Sequence, residues 1–452
     1  MTDRTDHLPR YSGRWGLRTM FSCKSSHAFV AATAAVALGS ALLCSQVHAK
    51  VAKEKPKSRP AAVQPAVPNK AEARLLEIIQ LVERQNLDGA LKAAADLTAE
   101  VPHFRAAQLV YADLLRFKTG RMGAAIAAPS PAGGVLVKHN PAADVKQAGM
   151  TAELQEHLNG LQDELRRRVH AASSLPAAGS VPSEFLALGG SVRRAIAIDA
   201  SKSRLYLFAN EGGHLRLIGN FYVSVGKLGV GKTEEGDQRT PQGVYFIGRQ
   251  IPGMKLPDFY GKGALTVNYP NDWDKAAGRS GSGIWLHGAP PDQFARIPEA
   301  SDGCVVLANP DLTFLMQSVD PQTPVLIRDK LQWTVSGDPM QLKAAASFAQ
   351  VLTEWKNAWA SADRSKLADL YAADFISSGI KQTAQERLSA YFNGSGASLQ
   401  EFSVYAWKDA KGEIRIVNLK AGSKAFAEGL PLRQYWRKVG NRWKLFSEEV
   451  IG

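Results

Sequence analysis

Cysteine is scarce: 452 residues contain three thiols, Cys23, Cys44 and Cys304. A disulfide framework is excluded, and the nine histidines show no paired ligand spacing, so neither a structural zinc site nor any other metal or cofactor is expected. Acidic residues are also short, 42 against 55 Lys and Arg, for a formal charge of +13. No nucleic-acid motif accompanies that surplus. The balance fits an anionic wall or membrane surface better than nucleic acid, with a plain solvated surface as the alternative.

Long apolar runs are missing apart from Ala28 to Cys44, which Thr33, Gly39 and Ser40 interrupt, making it weak for a spanning helix. Arg4, Arg10, Arg14, Arg18 and Lys24 precede it against Asp3 and Asp6, and Val47-His48-Ala49 follows. This is the layout of a signal peptide cleaved after Ala49, or of an uncleaved anchor with its basic side in the cytoplasm. Either way residues 1–49 direct the chain to the periplasm or cell envelope. Lipidation at Cys44 is disfavoured by the bulk of Leu43. The exported part then keeps one thiol, Cys304, without a disulfide partner.

What is present falls into blocks. Residues 50–70, rich in Pro, Ala and Lys, read as a disordered linker. A helical region over 71–175 follows, with Leu75, Ile78, Ile79 and Val82, then Leu87, Leu91 and Leu97, then Ala107, Val110, Leu114 and Leu115 at helical spacing. Ala124 to Ala143 reads as a loop, and Thr151 to Ala172 as a charged helix closed by Arg166-Arg167-Arg168, where a helix dipole favours cations. From Val192 the period switches to two. Ala195 to Asp199, Arg204 to Phe208 and Leu217 to Val225 predict strands, joined at Ser201-Lys202 and Glu211-Gly212-Gly213 into an antiparallel meander. Beyond Asp338 come a long amphipathic helix, Met340 to Ala360, a short one, Lys366 to Tyr371, and four strand-like segments. The expected fold is multidomain: an N-terminal α-helical region, a mostly-β central domain over 192–328 and a C-terminal α+β cone over 341–452.

Ser301-Asp302-Gly303-Cys304 lies 17 residues past His287-Gly288. A free thiol with a pKa of about 8.5 is mostly protonated at neutral pH, so a cysteine nucleophile needs a base. His287 is the candidate base and later acid, and Cys304 the candidate nucleophile toward a peptide carbonyl. Gly303 lets the backbone turn so that neighbouring amides face an oxyanion, and Ser301 is placed to hydrogen-bond within that turn. On these residues alone, a buried structural cysteine near an unrelated histidine remains open.

The accompanying pattern, Gly226-Lys227, Thr240-Pro241-Gln242-Gly243-Val244-Tyr245 and the strand order, resembles the L,D-transpeptidase catalytic domain of the YkuD type. The resemblance spans about residues 192–328. It implies a cysteine-dependent acyltransferase of peptidoglycan stem peptides, with Cys304 as acyl acceptor, His287 as base, the Gly288 carbonyl orienting the imidazole, and amides around Gly303 and Cys304 holding the oxyanion. Two positions depart. Asp302 stands where many members have His, and Val306 where many have an arginine, so this chain resembles the murein transpeptidase branch that lacks that arginine. Arg239, Lys232 and Arg279 are the alternative contacts for substrate carboxylates, or else unspecific loop charges.

Residues 341–452, with Trp355-Lys356-Asn357-Ala358-Trp359, Asp363, Leu367 to Tyr371 and Phe375, then Trp436 and Trp443, resemble a nuclear transport factor 2-like domain. That resemblance implies a module for wall substrate, a wall-linked protein or a cell-envelope partner. Three functions follow as expectations: an exported L,D-transpeptidase; an L,D-carboxypeptidase or hydrolase using the same site with water as acceptor; and a non-catalytic wall-binding scaffold.

Overall fold

The computed structural model describes residues 69–120, 152–377, 380–381, 386, 398–423 and 426–451. The expected leader (1–49), the linker as far as residue 68 and the loop 124–143 lie outside the described residues. None of the described helices is long and apolar enough to cross a membrane.

Three helices open the described chain: α1 (Lys70–Glu83), α2 (Leu87–Glu100) and α3 (Arg105–Lys118). Asn69 and Asn86 start the first two, their side chains accepting from the amides of Ala71 and Gly89 at 3.0 Å, as N-caps do for orphan donors. Leu75, Ile78, Ala94, Leu97, Val110 and Leu114 form the bundle core. A fourth helix, α4 (Ala152–Ser173), packs beside them through Leu165 and Val169. The Arg166 to Arg168 cluster does more than compensate a dipole. Arg168 is 1% exposed and bonds Glu72 of α1 at 3.0 Å and Glu164 at 2.8 Å, while Arg167 reaches Glu299 at 2.9 Å and Ser203 at 3.1 Å.

Short strands β1 (Ser180–Pro182) and β2 (Phe185–Ala187) precede the central domain, which runs β3 (Arg194–Asp199), β4 (Arg204–Glu211), β5 (His214–Ser224), β6 (Gly243–Pro252), β7 (Gly263–Val267), helix α5 (Asp272–Ala276), β8 (Trp285–His287), β9 (Val305–Leu307), helix α6 (Asn309–Ser318) and β10 (Pro324–Arg328). Strands β3 to β5 form the expected meander. The barrel closes in the order β10, β3, β4, β5, β9, β8, β7, β6. Alternate side chains fill it: Ile196 and Ile198, Leu205 and Leu207, Leu286, Val305 and Leu307 point inward, and Leu312 and Leu315 of α6 pack against them.

After β11 (Trp333–Val335) come α7 (Pro339–Ala360), α8 (Arg364–Leu370), β12 (Tyr371–Ser377), β13 (Ile380–Lys381), β14 (Ser398–Asp409), β15 (Gly412–Ser423), β16 (Phe426–Val439) and β17 (Arg442–Val450). These strands, β12 to β17, form one sheet, and β2 adds to its edge beside β14. Both faces of the sheet are apolar, which period two makes possible. Val404, Val417, Trp436 and Leu445 pack on Phe348, Leu352 and Trp355 of α7. Their neighbours Tyr405, Ile416, Tyr435 and Phe446 pack on Tyr206, Phe208, Phe246 and Leu326 of the barrel. The C-terminal segment, long enough to fold alone, thus shares a core and a sheet with the chain before it.

Candidate active site

Strands β8 and β9 are parallel neighbours, with Leu286 beside Val305 and His287 beside Val306. Parallel pairing across a connection of this length returns the chain to the same end of the barrel, so Cys304, one residue before β9, comes up beside the end of β8. The turn before the thiol is tied at several points. Ser301 Oγ donates to the Cys304 carbonyl at 2.6 Å and accepts from the Gly303 amide at 3.2 Å. Thr240 Oγ1 donates to the Gly303 carbonyl at 2.9 Å and accepts from the Gly226 amide at 2.9 Å. Gly303 has φ 125°, and a Cβ there would sit 2.8 Å from the Arg239 carbonyl, so glycine is required on both counts.

His287 is 1% exposed. Its Nδ1 lies 2.7 Å from the Gly288 carbonyl; a carbonyl has no proton to give, so Nδ1 donates and Nε2 keeps its lone pair. The rings of Tyr260 and Phe259 flank the imidazole at 5.0 and 5.8 Å. Burial pushes His287 down to about 4, with Arg296 adding to the effect against the Gly288 bond. Burial also pushes the Cys304 thiol up, opposed by a hydrogen bond from the Trp285 backbone and by Arg296. The resting pair at neutral pH is therefore a neutral imidazole and a neutral thiol.

The His287 shift has a measurable sign. Between pH 6.5 and about 4 the unfolded imidazole binds a proton that the folded one refuses, so stability falls as pH drops through this window, by about 3 kcal/mol in all. Urea unfolding across this range should show that slope reduced in His287→Gln, and the ring resonances of His287 should titrate near pH 4. A midpoint near 6.5 would refute the assignment.

Cys304 and His287 share a cavity of about 230 Å³ with Lys232, Tyr260, Arg296 and Asp302. The three cations singled out in the sequence are committed elsewhere. Arg239 donates to the carbonyls of Leu228 and Val230 at 2.6 and 3.1 Å. Arg279 bridges Asp274 at 3.0 Å and Asp409 at 2.6 Å. Lys232 lines the cavity but is 4% exposed and bonded to Asp237 at 2.8 Å. Val306 is buried in β9, and Asp302 is exposed and paired with Lys227 at 3.0 Å. Two further residues contribute: Thr240, which belongs to the Thr-Pro-Gln-Gly segment of the resemblance, ties the turn before the thiol, and Arg296 lines the cavity from a loop that carries no motif. Among the described residues, no group of three or more His, Cys, Asp or Glu is placed to hold a metal ion.

Residues 193–327 match the family model YkuD, the L,D-transpeptidase catalytic domain. YafK of Escherichia coli K12, named as an L,D-transpeptidase of unproven activity, is 24% identical over 165 residues, which cover 36% of this chain and 61% of YafK. Among solved structures, Bd1075 of Bdellovibrio bacteriovorus aligns at 24% identity and TM-score 0.49, covering 60% of this chain and 98% of that one. The helical cell shape determining protein Pgp2 of Campylobacter jejuni aligns at 22% identity and TM-score 0.48, covering 59% and 95%. The matched segment begins immediately before β3 and ends in β10, the span of the closed barrel that brings His287 and Cys304 together. The chain thus carries a YkuD-type L,D-transpeptidase catalytic domain at residues 193–327.

Proposed function

We propose that this chain is an exported, cysteine-dependent L,D-transpeptidase that acts on peptidoglycan stem peptides through a thioester at Cys304. The observation that carries the reading is the shared cavity of Cys304 and a His287 held with Nε2 free. The thiol proton passes to Nε2 as Sγ adds to the peptide carbonyl carbon. The oxyanion is met by the Cys304 amide, because the Gly303 amide is committed to Ser301 Oγ. Collapse breaks the C–N bond, and the imidazolium returns its proton to the departing D-alanine amine. An amine on a second stem then resolves the thioester by the reverse steps; water in its place gives an L,D-carboxypeptidase.

Residues 1–49 serve in this reading as the signal or anchor that places the enzyme in the periplasm or cell envelope. The C-terminal segment is read as a nuclear transport factor 2-like domain, supported by two helices packed on a sheet through Trp355, Trp359 and Trp436, and it positions wall substrate or an envelope partner. Digestion of purified muropeptides should test the whole. Loss of the mass of one D-alanine from tetrapeptides, or growth of cross-linked dimers, is expected. Unchanged muropeptides together with a Cys304 unmodified by a carbapenem would instead support the wall-binding scaffold.

A further inference from the structure

Arg296 is a half-buried guanidinium on the wall of the cavity that holds Cys304 and His287. Among the described residues it forms no ion pair with a carboxylate, and its one hydrogen-bonding contact there is a 3.5 Å approach to the Ala300 carbonyl. Its guanidinium lies 4.3 Å above the ring of Phe259, a ring that also flanks His287. The other charges on the wall leave it without an ion pair: Asp302 acts on it only through the field and is bonded to Lys227, Lys232 is bonded to Asp237, and Glu235 stands exposed. A planar cation held against a ring, with its donors unspent, is built to take a carboxylate.

The loop bearing it is rigidly supported. Tyr222 of β5 donates to the Arg296 carbonyl at 3.0 Å, and Ser224 to the Ile297 carbonyl at 2.7 Å. Two residues earlier, Phe294 packs on Phe104 at 4.2 Å, and its amide donates to the His103 carbonyl at 3.2 Å. The helical bundle and the barrel together fix where Arg296 points. A loop charge left to solvent has no need of such support.

We propose that Arg296 is the specificity residue that takes the free terminal carboxylate of the acyl-donor peptide, selecting a scissile bond one residue from the C-terminus. This rests on the stem-peptide reading above. The leaving residue's carboxylate is three bonds from the attacked carbonyl carbon, so both fit within the one cavity. Bond-making at Cys304 is unchanged by the proposal; Arg296 acts by placing the donor and by favouring donors that end there.

The full-length protein is given a stem tetrapeptide ending in D-alanine or in D-alaninamide, and in parallel Cys304 is alkylated with iodoacetate or iodoacetamide and quantified on the Cys304 peptide by mass spectrometry. The wild type should favour the acid over the amide in kcat/KM by about 10- to 100-fold, as a charge-assisted bond supplies, and Arg296→Gln should bring the ratio within about threefold of one. Arg296→Lys should keep part of the preference. The iodoacetate to iodoacetamide ratio cancels any change in thiol ionisation and should fall in Arg296→Gln. If Arg296→Gln lowers acid and amide equally, or leaves both ratios at wild-type values, the assignment is overturned. If the wild type turns over neither peptide, the stem-peptide reading fails, and the alkylation ratio alone decides: a fall upholds Arg296 as a carboxylate site, and constancy overturns it.

Discussion

Cys304→Ala should abolish turnover of stem peptides, a loss of at least about 10⁴-fold, and should leave the fold intact. The first half follows from chemistry, since without Sγ no thioester forms, and the other groups lining the cavity are poor replacements: Ser301 Oγ is spent on the turn, Lys232 is bonded to Asp237, and the Tyr260 and Ser282 hydroxyls are far weaker nucleophiles than a thiol. The second half follows from packing. Cys304 is only partly buried, and its thiol makes only peripheral contacts, 3.4 Å to the Gly283 carbonyl and a hydrogen bond from the Trp285 backbone, while the surrounding turn is held by Ser301 and Thr240 through backbone atoms that alanine retains. Stability should therefore change by about 0.5 kcal/mol or less. His287→Gln should cost about 10²- to 10⁴-fold, because water can accept the thiol proton inefficiently. Intact-mass analysis after incubation with peptide checks both variants: a thioester adduct on wild type, none on Cys304→Ala, and a slow one on His287→Gln. Full activity in a folded Cys304→Ala protein would end the thioester mechanism.

Much of this architecture is legible because it is local. The meander of β3 to β5 follows from alternating residues punctuated by Ser201-Lys202 and Gly212-Gly213, and α1 to α3 from apolar residues at helical spacing. His287 and Cys304 could be paired in the sequence because only one thiol had to be placed, and their helpers are local: Gly288 follows the histidine and meets it through its carbonyl, while Ser301, through its hydroxyl, and Gly303, through its backbone, lie within three positions of the thiol. What escaped is non-local. Phe185 to Ala187 is too short to declare itself as a strand and finds its partner in β14, more than two hundred residues later. Lys232, Arg239 and Arg279 look identical in sequence to free loop charges, and only Asp237, two carbonyls and Asp409 reveal them as spent. Arg296 differs from them solely in lacking such a partner, which no sequence pattern expresses.

The interface that holds the Arg296 loop carries the second large effect. Glu72→Gln should destabilise docking of the helical bundle by about 3–5 kcal/mol, the cost of leaving buried cations without their anion. Glu72 bonds Arg168 of α4 at 3.0 Å and Arg204 of β4 at 2.8 Å, all three nearly inaccessible, and Arg168 lies 3.8 Å above the Tyr222 ring. Burial alone raises the Glu72 carboxyl, yet Arg204 and Arg168 together pull it below its ordinary value, so its contribution is present at neutral pH and is lost as pH falls through that lowered value. Glu164 and Asp311 complete the cluster, three acids to two guanidiniums, and the excess negative charge is relieved by Asp311, which burial and then Glu72 push up to about 7. The neutral amide would leave Arg204 with no carboxylate ion pair among the described residues, whereas Arg168 retains Glu164. Replacing Glu72 and Arg204 together by leucine removes both charges and should cost less than the sum of the single changes, which a double-mutant cycle measures. Hydrogen exchange should rise in α1 to α4 of Glu72→Gln while the barrel strands stay protected. Because Phe104 and His103 of the same bundle hold Phe294 beside Arg296, this variant should also lose preference for a terminal carboxylate while Cys304 remains reactive to iodoacetamide; unchanged exchange and unchanged preference would show that the bundle is a bystander to the site.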